Sequence, residues 1–438
     1  MLSAENNVLL TEVGPGTPMG ALMREHWLPC YASADLVADD RPAPVRLLGE
    51  DLLLWRDSEG RAALVDPVCP HRGAPLLYGR NEQGGLRCVY HGWKFDVRGR
   101  CLEMPTEPPD SRFLSKVRLH QHRCVERGGV IWAYLGEAEE PPPLPDLEWN
   151  LVPAAQCHVS IRVQDCNWLQ ALEGEVDSAH APILHGRVDG QGSVSDMLAS
   201  TDLQPSFDVL RQRFGVSVAS SRRAEEGHLY WRVNQFLLPF YTFVPPQGRY
   251  PELSGHAWVP IDDHHTLCVM FSYHPDTPLP ARTVELYEQG YQGRETGHAS
   301  VNARDPQARG AYARYRTRYS RDNEFEFDYG SQVSTYFSGL PGLWVQDAAC
   351  QSGAGPVLDR SREHLSSSDA GIAIVRRSLL DAVNAHRDGG GRPVTATEPE
   401  LSMVRAVSLV LKRDESWFEA AEAPMRARLG AGFGYEVP

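Results

Sequence analysis

Cys69-Pro70-His71 and, further on, Cys88-Val89-Tyr90-His91 make the pattern C-x-H-x16-C-x2-H, and nothing else in the chain narrows its possible folds as much. Each half offers one thiolate and one imidazole. That donor set suits a 2Fe-2S cluster with one iron held by sulfur and the other by nitrogen, a replacement that raises the reduction potential above that of an all-Cys cluster. The halves must meet as two short loops at the tip of a β-unit. Gly73, Gly84, Gly85 and Gly92 permit tight turns there, and Pro70 and Pro75 stiffen the first loop. Two Cys and two His also bind structural zinc, but zinc loops usually place Cys with Cys and His with His. The other seven of the nine cysteines are scattered and read as small buried apolar residues rather than a disulfide framework, which points to a reducing compartment.

The surroundings agree with a small all-β unit. Short apolar runs at 45–48, 51–55, 62–65 and 129–135 are punctuated by Gly, Asp and Pro. Residues 18–27 predict one helix before them. The Glu- and Pro-rich stretch 139–145 cannot continue a helix or a central strand and marks a domain boundary. The chain then divides into an N-terminal segment, 1–26, a cluster domain, 27–145, and a larger domain, 146–438. Within the last, 166–181 predicts a helix and 204–273 strands, of which 235–244 is the most apolar and fit to line a core or pocket. Residues 276–325 read as long loops and exposed helix, 368–386 as an amphipathic helix closed by Gly389–Gly391, and 401–428 as helical. No internal repeat is visible.

A second constellation lies in 167–185. Gln170, Glu173, Asp177 and His180 share one stripe at helical spacing, and Pro182 bends the chain so that His185 can return toward His180. Two imidazoles and one carboxylate on one face of iron leave positions open for O2 and substrate. Read alone, the stripe is equally a solvated helix face, and His180 a satisfied core histidine. No carboxylate is singled out by spacing.

The stretches 69–76 and 88–96 resemble the Rieske domain of aromatic-ring-hydroxylating oxygenases, and D-x2-H-x4-H after N-x2-Q-x2-E is similar to the second signature of that family. The run 355–365 resembles its phthalate 4,5-dioxygenase branch. The resemblance implies an α+β chain: an N-terminal all-β Rieske domain and a C-terminal α+β catalytic domain of antiparallel sheet and helices, helix-grip or START-like. It implies Cys69, His71, Cys88 and His91 on the cluster, and His180, His185 and Asp347 on a mononuclear Fe(II), with Asp359 and Glu363 as rivals to Asp347. Asp359, Arg360 and Glu363 are otherwise read as a surface or capping ion network. It further implies that Asp177 bridges His180 to His91 of the partner subunit in a homotrimer or stacked-trimer hexamer.

The implied activity is O2-dependent hydroxylation of an aromatic compound, an aromatic carboxylate such as phthalate or a benzoate by the branch; Arg187, Arg211, Arg213 and Arg232 are candidates to hold it. The alternatives are O-demethylation of an aryl ether and an electron carrier without oxygenase activity. Gly430-Ala431-Gly432-Phe433-Gly434 has no helix after it and is no dinucleotide site. Electrons are therefore expected from a separate NAD(P)H-dependent reductase with flavin and a plant-type 2Fe-2S cluster. A net charge of -14 argues against nucleic acid. The absence of a leader pattern or a long apolar run predicts a cytoplasmic protein with no membrane span.

Overall fold

Runs of β-branched and aromatic residues broken by Gly and Pro give the N-terminal third short strands separated by loops. The structure, a computed structural model, describes residues 2–108, 110–189, 202–248, 251–290, 304–389, 391–433 and 436–438. Outside these fall 291–303 of the expected loop region, 249–250 of the strand region, Gly390 and Gly434. Strands β1 (Leu28–Ala32), β2 (Ala43–Leu47), β3 (Glu50–Arg56) and β4 (Ala62–Val65) come first. A meander of β5 (Arg80–Glu82), β6 (Gly85–Arg87), β7 (Lys94–Phe95) and β8 (Cys101–Glu103) follows, then β9 (Gln121–Arg127) and β10 (Val130–Tyr134). The long strands form one sheet in the order β1-β10-β9-β4-β3-β2 and the meander a second. Leu53, Trp55, Leu76, Leu86, Trp93 and Phe95 give the meander a small core of its own.

The larger domain is one antiparallel sheet. Its strands are β11 (Cys157–Gln164), β12 (Ser206–Arg211), β13 (Gly215–Arg223), β14 (His228–Leu237), β15 (Tyr241–Val244), β16 (Leu253–Asp262) and β17 (His265–Tyr273), in the order β11-β17-β16-β15-β14-β13-β12. The apolar stretch 235–244 is thus the end of β14, a turn and β15, not one strand. The expected C-terminal helix is mostly absent. Val407–Lys412 forms β18 and pairs with β14, because Val407, Leu409 and Leu411 alternate with Ser408, Val410 and Lys412 and lay one face on the core beside Trp231 and Trp417.

Helices α1 (Ala4–Thr11) and α2 (Pro18–Arg24) begin on side-chain caps from Ser3 and Thr17, and Pro18 opens the second. The others are α3 (Glu148–Leu151), α4 (Trp168–Val176), α5 (Ala181–Leu184), α6 (Ala281–Glu288), α7 (Tyr329–Ser334), α8 (Leu343–Gly353), α9 (Ala370–Gly389), α10 (Val394–Thr397) and α11 (Trp417–Ala421). Instead of running to 181, α4 stops at Val176 with Asp177 extended at its end. Pro182 does not bend that helix; it sits in the first turn of α5, where a missing N–H costs nothing. Nor is the region after α6 uniformly exposed: Tyr312, Tyr315 and Tyr319 are buried and hold it to the body.

The end of α1 packs on the start of α4. Leu10 and Thr11 carbonyls accept hydrogen bonds from Trp168 Nε1 and Asn167 Nδ2 at the start of α4. The two sheets also meet: Leu48 and Gly49 N–H groups donate to Pro260 and Ile261, and one apolar core takes in side chains of both. Within the larger domain, Arg405 clamps Glu148 with both side chains buried, and the Tyr273 hydroxyl donates to the same carboxylate at 3.1 Å. Arg405→Met leaves that carboxylate buried and unpaired and is expected to destabilise the chain by about 3–5 kcal/mol in urea unfolding. His26, after α2, sits between the Leu22 carbonyl and Thr395 Oγ1, and burial pulls its pKa from 6.5 to about 4. The neutral form is the folded one, so this stabilisation is full above 6.5 and lost as pH falls toward 4. Relative to His26→Gln, wild type should lose about 2 kcal/mol of unfolding free energy between pH 7.5 and pH 5.

Candidate metal centres

The first centre is built from two turns of one design. Cys69 N–H donates to Ala74 O while Gly73 N–H returns to Cys69 O; Cys88 N–H donates to Trp93 O while Gly92 N–H returns to Cys88 O. Both glycines have positive φ, 71° and 74°, which an L side chain rarely adopts. Each turn buries its Cys, both 2% exposed, and leaves its His half-exposed beyond it. The His71 and His91 rings are 4.5 Å apart, and Trp93 stacks on His71 at 4.2 Å. Burial, with Cys88 alongside, pushes the Cys69 thiol up to about 11, so thiolates here call for metal. His91 Nδ1 is buried without a partner.

The donor set fits a two-iron cluster better than one zinc. Tetrahedral zinc at 2.0–2.3 Å from each ligand would draw all four donors within roughly 4 Å of one another. Among the described residues no three of these four gather within 4.8 Å; the groups that do are His180, His185 and Asp347, and Asp66, His120 and His122. In the second of these, His122 already holds Asp66 at 3.1 Å.

At the other centre His180 opens α5, His185 closes it, and Asp347 comes from α8. His180 Nε2 and His185 Nε2 lie 3.4 and 3.5 Å from the same Asp347 oxygen, Oδ1. The opposite ring nitrogens are fixed from behind. His180 Nδ1 meets Asp177 Oδ2 at 3.2 Å, and His185 Nδ1 donates to Gln346 Oε1 at 2.7 Å. Gln346 is itself held by its Nε2 donating to the Leu340 carbonyl. Both Nε2 lone pairs therefore face one point beside a carboxylate, as two imidazoles and a carboxylate must to share iron. Burial opposes charge at His180, but Asp177 and Asp347 outweigh it and lift its pKa to about 10. At His185 burial wins and lowers the pKa. Asp347 stays below its usual range despite burial because both histidines favour the anion.

The stripe is differently disposed. Gln170 bonds the Gln351 and Gly355 carbonyls and the Leu358 N–H. Glu173 accepts from Arg360 and Arg376, at 2.9 and 2.6 Å, and Arg376 reaches on to Glu363. Arg360 is 0% exposed, so this ion network is not at the surface: it ties α4 to α9 inside the core. Asp359 only caps the turn after it, on Ser361, and neither it nor Glu363 approaches the two imidazoles. Two groups below the site were not legible in the sequence. Glu175 accepts from His256 Nδ1 at 2.6 Å and lifts its pKa, against burial, to about 10. Of the arginine candidates, Arg187 pairs with Asp189, Arg211 with Asp381 and Arg213 with Glu398; Arg232 is buried beside the Tyr230 hydroxyl.

Residues 26–122 match the Rieske [2Fe-2S] domain, and 133–429 match the LigXa C-terminal domain-like family. The chain is 35% identical to the 3-chlorobenzoate-3,4-dioxygenase oxygenase subunit of Comamonas testosteroni, over 91% of this chain and 93% of that one. It is 34% identical to the phthalate 4,5-dioxygenase oxygenase subunit of Pseudomonas putida, over 95% and 94%. Its fold is that of the oxygenase in the reduced oxygenase–ferredoxin complex of carbazole 1,9a-dioxygenase, with a TM-score of 0.53 at 19% identity, covering 84% of this chain and 92% of that one. Among the described residues no helix is long and apolar enough to cross a membrane.

The two centres should unload independently. His180→Ala is expected to drop iron from roughly three atoms per chain to roughly two, with the visible cluster spectrum unchanged, whereas Cys88→Ala removes the spectrum. Metal analysis and absorbance on the same samples check this.

Proposed function

The chain belongs to the Rieske oxygenases with a LigXa-like C-terminal domain, and on that footing we propose that it hydroxylates an aromatic carboxylate, as the oxygenase component of a system fed by a separate NAD(P)H-dependent reductase. The observation that carries the reading is the pair of Nε2 atoms converging on Asp347 Oδ1 in a chain that also has the cluster turns. Residues 27–145 form the cluster domain, with Cys69, His71, Cys88 and His91 as ligands. Residues 146–438 hold the mononuclear iron through His180, His185 and Asp347, and 1–26 pack on them. When bound, the cluster supplies electrons singly and the iron activates O2. The orienting is done by side chains: Asp177 and Gln346 aim the imidazoles.

The assembly we propose is a homotrimer or stacked-trimer hexamer. None of β5–β8 is a main packing neighbour of α4, α5 or α8, which favours an electron path that crosses between subunits. Two exposed apolar faces support a head-to-tail contact: Tyr78, Val89, Tyr90 and Phe113 around the cluster turns, and Ile183, Tyr329, Val333 and Phe337 beside the iron site. Asp177 holds His180 and remains partly exposed, where its carboxylate can accept from His91 of the partner subunit. The same cluster face, with both imidazoles at its edge, suits docking of the electron donor.

Purified chain with a surrogate reductase, NAD(P)H and a panel of benzoates, phthalates and aryl ethers tests the reading. A cis-dihydrodiol formed with O2 uptake is expected. Formaldehyde from a methyl ether in its place would move the assignment to O-demethylation, and a reducible cluster with no O2 uptake on any substrate would leave only an electron carrier. Asp177→Asn should keep both metals yet lower turnover about 100-fold.

A further inference from the structure

Arg162 on β11 is a buried cation with no anion beside it among the described residues. It pairs across the sheet with Cys268, while Ser160, two residues earlier, pairs with Met270, and Met270 with His256. Arg162, Ser160, Met270 and His256 therefore share one face of the sheet. It is the face toward the iron site, since Glu175 of α4 grips His256 and the His256 charge reaches Asp347.

Arg162 is 3% exposed. Its Nη2 donates to Ser160 Oγ at 3.0 Å and meets Met270 Sδ at 3.9 Å, and its guanidinium lies 5.6 Å from the Trp344 ring centroid. Trp344 stands three residues ahead of Asp347 on α8. Nε and Nη1 donate to nothing, and among the described residues no carboxylate forms an ion pair with it. Burial and the neighbouring Arg304 bring its pKa down to about 10, which still leaves it charged at neutral pH. Arg360, Arg376 and Arg405, also deeply buried, hold glutamates; Arg222 donates to the Ser178 carbonyl and leaves only its Nε bare, whereas Arg162 leaves both Nε and Nη1 bare. A buried charge is retained only with a partner, and the aromatic face of Trp344 is a partial one.

Arg162 also lines a small cleft with His158, Ser160, Met270, Ser272 and Tyr287, between β11, β17 and α6. His158 stacks on Tyr287 at 5.1 Å, and burial, then the Arg162 charge, lower its pKa to about 4. It is therefore neutral, and Arg162 is the cation lining this cleft, with serine hydroxyls beside it.

We propose that Arg162 reads the carboxylate of the aromatic substrate: the acid docks on the Nη1 edge of the fork, which Ser160 fixes from behind, with Trp344 against the ring on the side of Asp347. This rests on the oxygenase reading above and adds the group that selects acids over neutral rings. A planar carboxylate is the natural complement of a guanidinium edge, and a lysine does not reproduce it.

Calorimetric titration of the metal-loaded protein with benzoate, phthalate and methyl benzoate tests the assignment. Wild type should prefer at least one acid to the ester. Arg162→Met should weaken that acid about 30-fold or more and leave the ester unchanged, and Arg162→Lys should fall between. Cluster absorbance and melting temperature certify the fold, and Arg162→Lys carries the test if Arg162→Met does not fold. Equal acid affinity in Arg162→Met and wild type overturns the assignment, as does a wild type that does not prefer acids, or loss of acid binding in Arg232→Met with Arg162→Met intact. The oxygenase reading is decided apart from this, by O2 uptake and product: acid binding that depends on Arg162 in a chain that consumes no O2 would sink the oxygenase reading and leave the anion site standing.

Discussion

Glu173, wedged between Arg360 and Arg376 in the core, sets the position of α4, and the iron site inherits that position. A carboxylate buried between two guanidinium groups has few ways to relax without stranding a charge. Its partners come from the turn before α9 and from α9 itself, so the helix is fixed on its inner side. Gln170, one turn earlier, fastens it to the end of α8. Asp177 follows directly on α4 and Asp347 rides on α8, so tying these helices together fixes the distance between the two carboxylates that flank His180. The ion network lies away from the metal ligands, yet their geometry depends on it.

The cluster end is made stiff differently. There the backbone does the work, in two matched turns closed by glycines at positive φ, with Trp93 laid over His71. Local turns of this kind need no distant partner, which is why a small core suffices beneath them.

That contrast explains what could be read in the sequence. Cys69, His71, Cys88 and His91 are visible because the ligands of each half are neighbours along the chain and the glycines that turn it stand among them. His180 and His185 are nearly so. Asp347 is joined to them only by the packing of α8 on α4, and no spacing signals it; Gln346, beside it, had no signal at all. His256 and Arg162 depend on which residues face each other across three strands, and Glu175 on how α4 lies over them, matters of register and packing that a single strand does not announce. The early end of α4 was hidden because no Gly or Pro directly follows Val176, and Asp177 and Ser178 are tolerated in helices. In the tail, the alternation of Val407 to Lys412 was there to be read, but it is short and lies among residues that also favour helix. Arg360 looked like a surface arginine because composition alone does not tell a buried pair from an exposed one.

The continuous core joining the two sheets has a geometric consequence. Because side chains of both domains pack in one cluster, and Leu48 and Gly49 are bonded to Pro260 and Ile261, the cluster tip is carried at a fixed attitude to the exposed apolar face of α5 and α7. In the head-to-tail assembly proposed above, each chain would present a plug and a socket whose relative rotation is settled before any neighbour arrives. For head-to-tail contacts that rotation decides between a closed ring and an open fibre. The symmetry of such an assembly is then written in the interior of the monomer, and a change buried between the sheets can alter the number of subunits without touching either contacting surface.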